Sequence, residues 1–164
     1  MSAIPGDGGE LALAVALTAT LVTITLTDIE RRIIPNRILI VSAVAGAALI
    51  LLGDREVIGE HAIAAAGAFG FLLLVALACP GGMGMGDVKL VGVMGLYLGF
   101  AVVPALLIGF AAGTVYGTVL VARQGFPARK RSLPFGPFLA VGGLVALLAG
   151  DGIVSWYAES FFAG

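Results

Sequence analysis

Apolar runs separated by short charged or Gly/Pro-rich breaks organise this chain from end to end. They fall at residues 11–27, 34–52, 61–79, 88–103, 105–122 and 135–149. A helix that crosses roughly 30 Å of hydrocarbon needs about 20 mainly apolar residues. The pattern therefore predicts an all-α, polytopic membrane protein with about six transmembrane helices. Some runs fall a little short of a full crossing, which local bilayer thinning or continuation of the helix into its flanks absorbs. Residues 1–164 read as a single membrane-embedded domain, because spans on this scale leave no room for a sizeable soluble unit. Small residues within the runs, Gly46, Gly67, Gly70, Gly109 and Gly113 among them, suit close helix packing.

Composition sharpens this picture. Of the 164 residues, 60% are hydrophobic and 12% charged, and the mean hydropathy of +1.10 lies outside the range of an ordinary water-soluble domain. With a net charge of -1 and no broad basic face, nucleic acid is not an expected partner; the lipid bilayer is. The single cysteine, Cys79, excludes an intramolecular disulfide and a CxxC-type zinc site, and its apolar context suggests a small core residue. Residues 1–10 carry Asp7 and Glu10 but no Lys or Arg. They lack the basic start of a cleavable signal peptide, so the first run is expected to be a retained span.

Charge also sets an orientation. With the N-terminus outside, the inner segments near 28–37, 80–89 and 123–133 hold Arg31, Arg32, Arg37, Lys89, Arg123, Arg129, Lys130 and Arg131, eight of the nine basic residues. Arg55 alone stays outside, with most of the acids. The positive-inside rule then places both termini outside and predicts a multi-pass protein of the inner (cytoplasmic) membrane. The tail at 153–162, with Trp156, Tyr157, Phe161 and Phe162, suits an outer interfacial anchor. His61, at the outer end of the third run, reads as an interface residue far from the inner acids. The basic cluster from Arg123 to Arg131 suits anionic headgroups, with docking of a protein substrate as its alternative role.

Asp28 and Asp87 stand apart from the other acids. Each sits at the inner edge of an apolar run, Asp28 closing the first and Asp87 opening the fourth, so alternating spans bring them to one face. A carboxylate costs about 2.5–3.5 kcal/mol at the centre of a span and less near its edge, which marks it for function. Two carboxylates a few ångströms apart do not readily both ionise and instead share a proton. Such a pair suits amide hydrolysis without a metal, cofactor or covalent intermediate: one acid takes a proton from water while the other polarises the scissile carbonyl. Gly81, Gly82, Gly84 and Gly86 before Asp87 let a substrate chain approach closely. Lys89 has three readings: favouring the ionised form of an acid, contacting substrate backbone, or marking the interface. Plainer readings stand beside these. Asp28 can pair with Arg31 and Arg32, Asp87 can cap a helix, and Pro35 can occupy a first helical turn with Asn36 as a local polar partner.

Three stretches resemble the type IV prepilin peptidases, membrane aspartic proteases with a Gly-x-Gly-Asp motif. They are Asp28 with Ile34-Pro35-Asn36, the run Gly82-Met83-Gly84-Met85-Gly86-Asp87-Val88-Lys89-Leu90, and Leu133-Pro134-Phe135-Gly136-Pro137-Phe138-Leu139-Ala140. The resemblance implies that the chain removes a short basic leader from prepilin or pseudopilin precursors, commonly after a glycine, at the cytoplasmic membrane face. It puts Asp28 and Asp87 in the catalytic positions. Gly84, Gly86, Lys89, Pro35, Asn36, Pro134, Phe135, Gly136 and Pro137 become residues that shape the site or bind substrate. Pro134, Gly136 and Pro137 would interrupt the start of the last span where it borders the substrate groove. Larger members add a Cys-x-x-Cys segment and an N-methyltransferase activity. With Cys79 alone and a short first inner loop, this chain looks like the compact enzymes, those of the bacterial Tad/Flp branch in the first place or the archaeal preflagellin peptidases as the alternative, and methylation is not expected.

Three other readings compete. The signal-peptide-peptidase and presenilin type places both acids deep in spans and carries a Pro-Ala-Leu motif, whereas here the late motif is Pro-Phe-Gly-Pro. A proton or cation transporter would step acidic residues through the membrane, and the spans hold only Ser and Thr. A structural assembly protein would use the small residues for packing alone.

Overall fold

The computed structural model describes residues 8–31, 33–53, 55–78, 83–124 and 135–162, with no strand among them. Among these residues six helices follow one another: α1 Gly8–Arg31, α2 Asn36–Leu52, α3 Ile58–Ala78, α4 Met85–Leu98, α5 Val102–Gln124 and α6 Gly136–Phe162. Short 3-10 turns, Arg55–Val57 and Gly99–Ala101, precede α3 and α5. Three segments are long and apolar enough to cross a membrane, namely Gly8–Arg31, Ile58–Ala78 and Met85–Arg123, and shorter apolar helices cover Asn36–Leu52 and Gly136–Ala149.

Consecutive helices run in opposite directions, as their close approaches show. The Cα of Gly92 faces Phe69 while Gly95, further along α4, faces Ala64 and Ala65. In α5, Gly113 meets Phe135 and Gly109 meets Phe138 and Leu139, at the beginning of α6. A Cβ on Gly95 would lie 2.7 Å from the Cα of Ala65. Only the missing side chain permits that backbone contact, the device by which apolar helices associate without a hydrophobic driving force. Gly67 and Gly70, by contrast, meet nothing within 4 Å. They are not packing residues as expected, whereas Gly92, Gly95, Gly142 and Gly143 are.

The core sits around α4, on which Asp87, Val88, Leu90, Val91, Val93, Met94, Tyr97 and Leu98 are all buried. α1 turns one stripe inward, Leu17, Leu21, Ile24 and Asp28, at the four- and three-residue spacing of a single helix face. Its threonines cause no conflict with apolar surroundings. Thr18, Thr20, Thr23, Thr25 and Thr27 each donate to the carbonyl four residues back, at 2.7–3.0 Å, so every hydroxyl proton is satisfied within the helix. Tyr97 joins α4 to α2: its hydroxyl donates to the Ser42 carbonyl at 2.7 Å, and a Cβ on Gly46 would lie 2.8 Å from its ring.

Several boundaries depart from the sequence pattern. The apolar run 88–103 is not one helix, because α4 stops at Leu98 and the chain turns at Gly99, whose φ of +56° is strained for any residue with a side chain. Pro104 then falls in the first turn of α5, where its missing N–H costs nothing. Pro35 is not in a first helical turn but one residue earlier, with its carbonyl accepting from Ile38 and Leu39. His61 is buried rather than interfacial; its Nδ1 faces the Leu96 carbonyl at 2.7 Å and is therefore the protonated ring nitrogen. Cys79, Gly81, Gly82, Arg129, Lys130, Arg131, Leu133 and Pro134 lie outside the described residues, as do the side chains of Trp156, Tyr157, Phe161 and Phe162.

Candidate active site

Alternation of the helices brings the C-terminal end of α1 and the N-terminal ends of α2, α4 and α6 together. Asp28 lies one turn before the end of α1, on its buried stripe. Its Oδ2 accepts a 3.0 Å hydrogen bond from the backbone N–H of Gly136, the first residue of α6. Gly136 is required by that contact, since a Cβ there would sit 2.6 Å from the same oxygen. Arg31 is exposed, and among the described residues no ion pair joins it to Asp28. The plain reading of Asp28 as a solvated acid held by its arginine neighbour does not describe this geometry; Arg32 lies outside the described residues.

Asp87 occupies the third position of α4 and reaches back so that its Oδ2 accepts from the Gly84 N–H at 3.3 Å. This is the acidic half of a capping box, made from inside the helix rather than from the N-cap residue itself. The sequence reading of Asp87 as a cap is thus partly realised by an acid that is also buried. Gly86 brings the preceding turn against Ile34, with space for no Cβ beyond 2.9 Å from the Ile34 Cβ.

Both carboxylates line one cleft of about 330 Å3, together with Ile33, Ile34, Asn36, Gly84, Met85, Gly86 and Lys89. The α1 end carries the negative pole of its helix, which disfavours a carboxylate, but the positive poles of α2, α4 and α6 converge on the same spot. Each such N-terminus favours nearby negative charge by about 0.3–1 kcal/mol when exposed and up to about 2 when partly buried. At the rim, Lys89 Nζ donates to Asn36 Oδ1 at 3.0 Å, tying α4 to the start of α2.

The structure therefore brings together Asp28, Asp87, Gly84, Gly86, Lys89, Asn36 and Gly136. Pro35 stands just before α2, between the lining residues Ile34 and Asn36, and does not itself line the cleft. Phe135 turns instead towards α5, with its ring 5.3 Å from that of Phe110 and 6.2 Å from that of Phe138. Pro137 stands in the first turn of α6 and Pro134 is not described. Neither Phe135 nor Pro137 lines the cleft; of the described residues of the Pro-Phe-Gly-Pro segment, Gly136 is the one bonded to Asp28. Ile33 and Met85 line the cleft without having been singled out as site residues, although Ile33 precedes one motif, Met85 lies inside another, and both are exposed apolar residues beside charge.

Comparison with known proteins places this arrangement in context. The sequence model of the type IV leader peptidase family matches residues 15–118. The prepilin leader peptidase/N-methyltransferase of Bacillus subtilis (strain 168) is 37% identical over 151 residues, covering 92% of this chain and 60% of the relative. That of Aeromonas salmonicida (strain A449) is 34% identical over 168 residues, 98% of this chain and 56% of the relative. That of Legionella pneumophila is 38% identical over 86 residues, 52% of this chain and 30% of the relative. The chain spans less than two thirds of the length of these relatives. No solved structure matches it.

Proposed function

The chain belongs to the type IV leader peptidase family, and from that premise we propose that it is an aspartic endopeptidase cutting the basic leader from prepilin or pseudopilin precursors at the cytoplasmic face of the membrane. The observation that carries the reading is the burial of Asp28 and Asp87, from two different helices, in one cleft at the end of the bundle. One ionised carboxylate takes a proton from a water whose oxygen attacks the scissile carbonyl carbon. The other, protonated, donates to the carbonyl oxygen as charge grows there, and the converging helix N-termini favour that charge. Collapse of the tetrahedral intermediate breaks the C–N bond as the proton taken from water passes to the leaving nitrogen and the proton given to the carbonyl oxygen returns to its carboxylate, which regenerates the shared-proton pair.

The cytoplasmic placement rests on charge. Arg31, Arg37, Lys89 and Arg123 all belong to helix ends on the acid side of the bundle, while Glu10 and Glu60 belong to the other. With six crossings this puts both termini outside. α1 and α2 are joined by residues 32–35, and the activity proposed for this part of the molecule is peptide cleavage. Co-expression with a leader-bearing precursor tests it through the precursor's size. Asp28→Asn and Asp87→Asn are each expected to leave the leader attached, whereas His61→Ala, altered in α3 beside the far end of α4, cleaves. Cleavage retained in either Asn variant defeats the two-acid mechanism.

A further inference from the structure

A second cavity, of about 380 Å3, opens between α1 and α2 and has no part in the chemistry above. α1 gives it Ala16, Ala19 and Thr23, and α2 gives it Val41 and Ala45. These residues recur at three- and four-residue spacing, so each helix offers one face, and the groove runs for roughly 10 Å at ~1.5 Å per residue. Its floor is fixed by side chains already satisfied. Thr20 Oγ1 and Ser42 Oγ share a hydrogen bond at 2.8 Å, and the Tyr97 hydroxyl holds the Ser42 carbonyl from below.

We propose that this groove seats the apolar helix of the leader-bearing precursor, immediately beyond the bond to be cut. The inference rests on the peptidase reading and adds the surface by which substrate is held. Continuity with the cleft is the first argument. Asn36 lines the cleft and its neighbour Arg37 lines the groove, and Thr23 lies five residues from Asp28 along α1, about 7.5 Å. The groove therefore starts next to the cleft at the beginning of α2, with α1 as its other wall. The lining is the second argument, since alanines on both walls allow another helix to approach closely, and association within a bilayer depends on such packing. The floor is the third: its hydrogen bonds hold the shape before anything binds, so little ordering remains for docking to impose. A flexible acyl chain needs neither small walls nor a preset shape.

The test uses the full-length protein in nanodiscs with two substrates of identical leader and cleavage sequence. One continues into an apolar helix of about 20 residues; the other ends a few residues after the cut. Ala19→Phe and Ala45→Phe fill the groove. They are expected to raise KM for the helix-bearing precursor about tenfold more than for the short peptide, with kcat less affected, the mark of lost ground-state binding. Equal effects on both substrates, or none on either, overturn the groove while leaving cleavage by the parent protein intact. If the parent cuts neither substrate, the peptidase reading fails first and the groove falls with it. A photo-crosslinker at Val41 gives an independent readout. An adduct with the precursor's helix supports the proposal, and adducts with lipid alone overturn it.

Discussion

A carboxylate taken out of water costs several kcal/mol unless donors replace its hydration, and Asp28 finds its donor on another helix, at Gly136. That dependence gives a sharp expectation. Gly136→Ala forces a Cβ to within 2.6 Å of Asp28 Oδ2, so the carboxylate must move. A shift of about 1 Å in a catalytic group lowers turnover roughly a hundredfold, so the variant should accumulate to normal levels yet release leader about a hundred times more slowly. Gly84→Ala is milder, because its Cβ would stand 3.3 Å from Asp87 Oδ2 on a bond that is already long. A loss of about tenfold or less is expected there, and the reverse order of the two variants would contradict the geometry. At this scale the sequence made the acids plain, because a charge beside an apolar run has few ordinary reasons to be there. Their donors were hidden, because every residue but proline carries the same backbone N–H. His61 was misjudged for a related reason: its position along the helix was readable, but the Leu96 carbonyl that accepts its proton comes from another helix.

Helices were legible as existing and much less so as surfaces. In water an amphipathic stripe shows which face is buried; in a bilayer both the lipid side and the core side are apolar, so Leu17, Leu21 and Ile24 look like their exposed neighbours Val15 and Val22. The glycines separate by contact rather than by sequence. Gly95 presses α4 on the backbone of α3, and Gly67 faces open space. Gly95→Ala should therefore overpack that contact and destabilise the protein by about 1–3 kcal/mol. Gly67→Ala removes a poor helix former without a clash, and should be neutral or stabilising by up to about 1 kcal/mol. Unfolding in detergent, followed by loss of helical signal, compares the two; similar effects would mean that α3 and α4 do not meet at Gly95. The turn at Gly99 escaped the pattern because no charge interrupts the run, and the nearby Pro104 is tolerated inside the next helix.

The whole molecule works as a site only if both acids face the compartment that holds the leader. Alternating helices make their meeting a matter of topology: α1 must arrive at the face from which α4 departs, and α2 and α6 must depart from it too. The charge count read from sequence agrees with this arrangement at the four described basic helix ends, though it carries no information on which helices touch. Sidedness can be measured directly with Cys79 replaced by Ala. Leu52→Cys lies at the far end of α2, and Leu52 is 84% exposed; Arg31→Cys lies at the acid end, at the close of α1. A membrane-impermeant maleimide added to intact cells should label the Leu52 variant, and the Arg31 variant only after the membrane is opened. Labelling of both from outside would break the alternation that joins Asp28 to Asp87. A reversal of the two would keep the cleft but turn it away from the cytoplasm, where a basic leader held back by the positive-inside rule could not reach it.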